Sequence, residues 1–184
     1  GHTNTDTITN ISLPEYLAQS KNWKKRNKGW KLDGVELPHK NVLIEPYFVG
    51  LWLGDGTSGN TNVTNSDAEV IDYLKWFAVR SDLNYSKIKC DPYGHTLTRK
   101  NVSTQNSLRE ALKHYGIFTN KRIPRDYLNN DSKVRLELLA GLVDSDGCRT
   151  TSDTISISQT RKELAEDIAL LVRSLGFYAR FSKY

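Results

Sequence analysis

The sequence predicts an α+β fold in which one order of helices and strands occurs twice. Three observations carry this prediction. Apolar residues recur at helical spacing, shorter stretches alternate as strands do, and the pattern begins again after about 91 to 94 residues. The repeated unit is αββαββα. Its second copy stops before it is complete, so we expect tandem repeats of which the second is truncated.

The first copy begins with an apolar helix. Pro46 suits the first turn of a helix, and the residues after it are apolar on nearly every side, which predicts a buried helix that ends at Gly54-Asp55-Gly56. Ser66 then caps an amphipathic helix, and Glu69 completes its capping box. The sequence further predicts strands at 61–65, 85–90 and 95–103 and a helix at 107–115.

The second copy repeats these elements. It consists of a helix at 133–143, a strand at 154–158, an amphipathic helix that Thr160 caps and a strand at 177–181. Asp146 follows Asp55 by 91 residues, and Thr160 follows Ser66 by 94 residues. The tripeptide Val-Arg-Ser at 79–81 occurs again at 172–174. The sequence therefore predicts an internal duplication of one structural unit.

The duplicated region, residues 45–184, is predicted to follow a basic N-terminal extension over 1–44. Repeat one covers 45–130 and partial repeat two covers 131–184. The extension carries a short predicted helix at 13–20 and a cluster of lysine and arginine residues over 21–31 that includes two tryptophans. Such a cluster is typical of a nucleic-acid-binding arm, but also of a solvated extension folded against the main domain.

Composition narrows the class of protein. The 184 residues are 38% apolar and 26% charged, which argues against a disordered chain. No stretch of 18 apolar residues exists, so we expect no transmembrane helix and no membrane partner. The N-terminus lacks a secretory signal, and Cys90 and Cys148 form no CxxC pattern, so an intracellular location, cytoplasmic or nuclear, is expected. The net charge of +5 favours a polyanionic partner such as nucleic acid.

The two apolar helices end in the same layout, with an acid and a glycine. Each carries small residues one turn apart: Gly50 and Gly54 in the first, Gly141 and Ser145 in the second. Small residues at this spacing let two helix backbones approach closely, which would bring Asp55 and Asp146 together. Converging carboxylates repel each other and invite a divalent cation, and oxygen ligands suit Mg²⁺. A single Asp-Gly after a helix is usually a turn, whereas two at equivalent points of a repeat indicate a site.

The second motif, residues 139–147, resembles the LAGLIDADG signature, and the chain resembles a LAGLIDADG homing endonuclease of the kind embedded in inteins. Residues 34–38, followed by 46–56, are similar to the entry into the endonuclease region of fungal and viral inteins. The likeness covers 45–184 and, less specifically, 5–38. It implies a pseudo-two-fold fold with two central packed helices and a β-sheet saddle that binds DNA.

The resemblance also implies site residues. Asp55 and Asp146 are expected to bind the catalytic Mg²⁺ ions and to position water for attack on each DNA strand. The residues directly before them, Gly54 and Ser145, complete the predicted metal site. Asp144 occupies the other acidic position of the signature, which more often serves the helix end than the metal.

Members of the family place a lysine near each active site. The segment 120–124 is similar to the one that carries it, which makes Lys121 the predicted catalytic lysine. The alternative is a solvated loop cation beside Arg122 and Arg125. The partner lysine is expected after residue 184.

The resemblance implies that DNA lies on the strands, where long basic side chains can reach base edges or hold phosphates. Alternating charge is also typical of any solvated sheet face. The predicted DNA-binding residues are Lys87, Lys89, Arg99 and Lys100 in the first copy and Arg149, Arg180 and Lys183 in the second.

The leading hypothesis is a site-specific, Mg²⁺-dependent endonuclease for double-stranded DNA. It would act as a monomer and form part of an intein within a host protein. One alternative is a protein-splicing element. Such elements begin with Cys or Ser and end in His-Asn, whereas this sequence runs from Gly1 to Tyr184, so splicing chemistry is expected only in a longer parent.

The other alternative is a non-cleaving DNA- or RNA-binding module of the maturase or regulator type. Both Asp55 and Asp146 are present, which favours the nuclease, while the truncated second repeat favours a fragment.

Overall fold

The computed structural model describes residues 8–29, 33–150 and 154–181, and the architecture is α+β. The chain divides into two compact units, 1–32 and 33–184. The first unit holds two short helices, α1 (Leu13–Ala18) and α2 (Lys21–Arg26). Each is capped by the serine before it, Ser12 or Ser20, whose hydroxyl accepts a hydrogen bond from a backbone N–H of the first turn. The second helix, which carries much of the basic cluster, was not expected from the sequence.

The second unit contains the remaining helices and strands, which are α3 (Pro46–Asp55), β1 (Asn62–Thr64), α4 (Ala68–Arg80), β2 (Leu83–Lys87), β3 (Gly94–Arg99), α5 (Ser107–His114), α6 (Arg125–Leu128), α7 (Ser132–Asp146), β4 (Gly147–Arg149), β5 (Ile155–Ile157) and α8 (Lys162–Ser174).

Helices α3 and α7 pack against each other and form the centre of this unit. Helix α3 is buried on nearly every side because its apolar residues are not confined to one face. Helix α7 also contacts α6, α8 and both strands of the second sheet. Helix α3 ends at Asp55 and α7 ends at Asp146, so this packing determines where the two aspartates lie.

The larger sheet has three antiparallel strands in the order β1-β3-β2. Leu83 and Leu97 are buried on one of its faces. The opposite face carries uncharged polar side chains, since Asn84 pairs with Thr98 and Ser86 pairs with Thr96. The smaller sheet pairs β4 with β5, also antiparallel.

Segment 33–44 belongs to the second unit by its hydrogen bonds. The Val35 N–H donates to the Ser174 carbonyl (2.8 Å), and Lys40 exchanges two hydrogen bonds with the Asn130 side chain. Arg135, which is fully buried, donates to the carbonyls of both Val35 and Ser174. These bonds attach the segment before α3 to helices α7 and α8. The predicted boundary at 44/45 remains a prediction.

Two helix starts differ from those predicted. Helix α4 begins at Ala68 after Asp67, and α8 begins at Lys162 after Arg161, so neither Ser66 nor Thr160 is the cap. In the first case the Asn65 side chain accepts the hydrogen bond of the Asp67 N–H (2.7 Å). A competing local turn therefore replaces the predicted capping box.

Residues 177–181 do not form the predicted strand. Gly176 turns the chain at φ 84°, and the Phe177 N–H donates back to the Val172 carbonyl at the end of α8 (3.1 Å). The Arg173 guanidinium donates to the Ala179 carbonyl (2.9 Å). The backbone of this segment thus completes the end of α8.

Within the described ranges, no helix is both long and apolar enough to cross a membrane. Cys90 and Cys148 are exposed free thiols.

Candidate active site

Asp55 and Asp146 are the last residues of α3 and α7, and the packing of these helices brings them together. A Cβ atom added to Gly54 would lie 3.1 Å from Oδ2 of Asp146. Both aspartates are partly buried. Two carboxylates thus converge at one end of the central helix pair.

The environment disfavours the charged form of both carboxyls. Burial raises the pKa of Asp55 to about 6, and the nearby Asp146 acts in the same direction. A hydrogen bond from Asn65 and the charge of Lys121 partly oppose this shift. Burial also raises the pKa of Asp146, again against the effect of Lys121. A bound cation would relieve both the repulsion and the desolvation, which is the behaviour expected of metal ligands.

Each carboxylate is held by one side-chain amide. Asn65 Nδ2 donates to Asp55 Oδ2 (2.7 Å), and Gln159 Nε2 donates to Asp146 Oδ2. Sequence reasoning did not identify these two amides. The signal was nevertheless present, because Gln159 follows Asn65 by 94 residues, the offset that relates Thr160 to Ser66.

Lys121 lies beside the two carboxylates and is buried, with 3% of its surface exposed. Its Nζ donates to the Gly54 carbonyl (2.8 Å) and stands 5.3 Å from the centre of the Trp52 ring. Burial, together with the Arg161 charge, lowers the pKa of Lys121 to about 8, against the opposing effect of the aspartates. The residue is therefore not a solvated loop cation.

The segment that carries Lys121 is attached to α8. Arg122 forms two hydrogen bonds to Asp167, from Nη2 to Oδ1 (2.9 Å) and from Nε to Oδ2 (3.1 Å). The Ile123 N–H donates to the same carboxylate (3.1 Å). This bidentate pair fixes the chain on the C-terminal side of Lys121.

The other motif residues make contacts within the helix pair. The Ser145 hydroxyl donates to the Gly141 carbonyl one turn earlier (2.9 Å). The Gly54 carbonyl accepts from Lys121. Asp144 accepts a hydrogen bond from the Tyr47 hydroxyl (2.7 Å), a bond that joins α7 to α3. Asp144 thus serves the helix contact, whereas Asp146 lies beside Asp55.

The predicted DNA-binding residues do not share one face. Lys87 pairs with the buried His95 and Arg99 with the buried Leu83, so both project from the helix-facing side of the sheet. Lys100 forms an ion pair with Asp82 (2.8 Å).

The remaining candidates are placed at the ends of other elements. Lys89 follows β2 and is exposed, Arg149 ends β4, and Arg180 follows α8. Lys183 lies outside the described residues. The opposite face of the sheet instead presents polar side chains that sequence reasoning missed, namely Asn84, Ser86, Thr96 and Thr98.

The donor set at the paired helix ends fits Mg²⁺. Among the residues that the structure describes, no cluster of three or more His, Cys, Asp or Glu side chains could hold a metal ion. Mg²⁺ does not require one, because it usually keeps several waters and binds through one or two carboxylates and substrate phosphates. Each of Asp55 and Asp146 accepts its amide hydrogen bond at Oδ2. Two partly buried carboxylates of this kind are the ligands that this ion prefers.

Parts of this chain are similar to known proteins. Residues 122–183 match the family described as homing endonuclease. The chain is 35% identical over 148 residues to the replicative DNA helicase DnaB of Mycobacterium intracellulare, covering 80% of this chain and 22% of that protein. It is 29% identical over 145 residues to the ATP-dependent DNA helicase Hel308 of Thermococcus kodakarensis, covering 70% of this chain and 12% of that protein.

The chain therefore spans less than a quarter of either relative. A homing endonuclease region indicates nuclease function. The family match over residues 122–183 confirms the resemblance to a homing endonuclease.

Proposed function

We propose that this chain is a site-specific homing endonuclease that hydrolyses both strands of double-stranded DNA with Mg²⁺. One observation carries the proposal. Asp55 and Asp146 converge at the paired ends of α3 and α7, with the buried ammonium group of Lys121 beside them. Two carboxylates and a cation in this arrangement suit metal-assisted attack on a phosphodiester.

The LAGLIDADG arrangement is part of the proposal. Helices α3 and α7 would be the two signature helices, related by a pseudo-two-fold axis. The β1-β3-β2 and β4-β5 sheets would form the two sides of a DNA-binding saddle. The matched positions of Asn65 and Gln159, which hold one carboxylate each, support this relation between the two copies.

The residues of the site would divide the work. Asp55 and Asp146 would hold the metal, and each would serve the attack on one DNA strand. The carbonyl of Gly54 and the residue Ser145 lie beside them. When bound, Mg²⁺ supplies an activated water and stabilisation of the departing 3′ oxygen. Lys121 would place its positive charge near the phosphate, held there by the Gly54 carbonyl and the segment that Asp167 anchors.

DNA recognition would combine two kinds of side chain. Lys87, exposed at the last position of β2, and the exposed Lys89 beyond it would contact phosphates past the end of the strand, which fixes the position of the duplex without reading its sequence. The amide and hydroxyl groups on the opposite face of the sheet, such as Asn84 and Thr98, are suited to hydrogen bonds with base edges in the major groove.

We further propose that the chain is an inserted element, an intein, within a host protein. It matches parts of two different helicases and covers only 22% and 12% of them. A segment of the homing endonuclease family within such proteins is what an insertion would produce. The host protein would then be its covalent partner.

The decisive test replaces the carboxylates. Asp55→Asn and Asp146→Asn should each abolish cleavage while sparing DNA binding, because the change removes a metal ligand but keeps the side-chain shape. Asp144→Asn is the matched control and should still cleave, since Asp144 contacts Tyr47. A substrate would first be selected from a randomised duplex library by cleavage with the unaltered protein. Binding would be measured by fluorescence anisotropy in Ca²⁺.

Normal cleavage by either Asp55→Asn or Asp146→Asn would refute the site assignment. If the unaltered protein binds DNA but cleaves none of the library in Mg²⁺, a non-cleaving binding module becomes the better account.

A further inference from the structure

Each polar group of Asn65 takes part in a hydrogen bond within the second unit. Its backbone N–H donates to the Tyr93 carbonyl (2.9 Å), and its side-chain Oδ1 accepts from the Asp67 N–H (2.7 Å). Because Oδ1 faces a backbone donor, Nδ2 must face Asp55, to whose Oδ2 it donates (2.7 Å). The orientation of this amide is therefore set by its surroundings, and the bond occupies only one oxygen of the Asp55 carboxylate.

The remaining polar group of Asn65, its backbone carbonyl, is held by His95. His95 Nε2 lies 3.0 Å from that carbonyl oxygen, and His95 is buried, with 1% of its surface exposed. A carbonyl can only accept, so Nε2 carries the hydrogen. In the neutral imidazole Nδ1 is then an acceptor, and the Tyr85 hydroxyl lies 2.7 Å from it.

Strand pairing supports this chain of contacts. Tyr85 on β2 and His95 on β3 belong to the same antiparallel pair, and their rings stack with centres 5.6 Å apart. The order Tyr85, His95, Asn65, Asp55 thus runs without a gap from the sheet to the end of α3. The hydrogen bonds connect two strand residues, which touch no metal or DNA in the proposed reaction, to a predicted metal ligand.

We propose that His95 and Tyr85 are positioning residues for Asp55. They fix the backbone of Asn65, and through it the amide that holds one oxygen of the carboxylate. This inference rests on the proposed function, in which Asp55 is a metal ligand. Partners that orient a ligand in this way change metal affinity by roughly 10- to 100-fold when they are removed.

The first measurement is Ca²⁺ binding by calorimetry, with no DNA present. Tyr85→Phe removes only the hydroxyl, and His95→Leu removes both hydrogen bonds. Each should weaken Ca²⁺ binding by about tenfold. His95→Gln keeps a side-chain N–H that can reach the Asn65 carbonyl and should restore part of the affinity. Lys113→Ala, on the exposed surface of α5, serves as the control that should change nothing.

The second measurement needs neither metal nor activity. In ¹⁵N-labelled protein, Asp55→Asn should move the side-chain amide resonances of Asn65, because the amide loses a charged acceptor. In the His95→Leu background this response should be largely lost. Where His95→Leu does not fold, Tyr85→Phe gives the same comparison, with a smaller loss expected.

The outcomes separate the two proposals. If the unaltered protein binds no Ca²⁺ either alone or with a bound duplex, the metal-dependent function fails, and the amide response alone decides the role of His95. An amide response that is unchanged by both substitutions overturns the inference, as does unchanged Ca²⁺ affinity in folded Tyr85→Phe and His95→Leu. Weaker Ca²⁺ binding that His95→Gln partly restores supports it.

Discussion

Gly50 and Gly141 face each other where α3 packs on α7. A Cβ added to Gly50 would lie 2.9 Å from the Cα of Gly141, and one added to Gly141 would lie 3.1 Å from the Cα of Gly50. Each would also collide with a backbone carbonyl, that of Leu138 or of Tyr47. The two backbones are therefore in direct contact, and the helix ends that carry Asp55 and Asp146 meet because of it.

Gly50→Ala should consequently destabilise the second unit. The new methyl group meets backbone atoms, which cannot move aside as a flexible side chain can. We expect a loss of at least about 1–3 kcal/mol in the free energy of unfolding, the usual cost of overpacking. Chemical denaturation followed by circular dichroism would measure it.

Gly29→Ala is the matched control, because a Cβ at Gly29 would have no heavy atom within 4 Å. Equal stability of the two variants would contradict the close approach of α3 and α7.

The local pattern of the sequence was sufficient to predict the positions of the central helices α3 and α7. Apolar runs that end at Asp-Gly give α3 and α7 to within a few residues, and the repeat indicates that Asp55 and Asp146 are related. Contacts between distant residues were not predictable in this way. The amide of Asn65 reaches Asp55 only because a turn that displaces the predicted cap at Ser66 directs it there.

The faces of the sheet show the same limit. Alternation along β2 and β3 shows which residues share a face, but it does not say which face the helices cover. Lys87 and Arg99 are consequently on the helix-facing side, whereas the paired residues of β2 and β3 on the opposite face are uncharged. Residues 177–181 alternate like a strand, yet their backbone bonds to the end of α8, so tertiary context decides their structure.

The raised pKa of Asp55 predicts how stability depends on pH. Folding raises this pKa from 3.8 to about 6, so between these values the folded protein binds more protons than the unfolded chain. Its free energy of unfolding must therefore fall as pH rises through this window. Asp55→Asn does not titrate and should be more stable than the unaltered protein at about pH 8 in EDTA, with the difference vanishing near the unfolded pKa of 3.8.

Thermal melts at both pH values would measure this effect. Asp72→Asn is the control, since its side chain is 74% exposed and it should show little change at either pH. A variant Asp55→Asn that gains nothing at the higher pH would mean that the carboxylate is not destabilised by its site.

The exposed lysine on β2 predicts a change in salt dependence. If Lys87 contacts one phosphate, the plot of log K against log salt concentration should be shallower for Lys87→Ala. The magnitude of its negative slope should fall by about 0.9, because one fewer counterion is released. Lys113→Ala should leave the slope unchanged, since Lys113 lies on α5 and pairs with Glu110. Anisotropy titrations at several salt concentrations would give the slopes. Equal slopes for all three proteins would place the duplex away from this end of β2.

The attachment of Lys121 to α8 predicts a catalytic effect of a residue that touches no substrate. Asp167 accepts hydrogen bonds from Arg122 and from the Ile123 N–H, so Asp167→Asn should loosen the segment that holds Lys121. A small displacement of a catalytic group can cost on the order of 100-fold in rate. We therefore expect single-turnover cleavage to fall by about 10- to 100-fold while DNA affinity changes little.

Glu166→Gln is the control for Asp167→Asn on the same helix, because Glu166 is exposed and its ion pair with Lys162 is long (3.7 Å). The role of Asp167 as a support for Lys121 has a sharper test in the double variant. If Asp167 acts through Lys121, then Asp167→Asn should slow a Lys121→Met protein no further, since the group it positions is already gone. Additive losses would instead show that Asp167 affects cleavage by a route that does not involve Lys121.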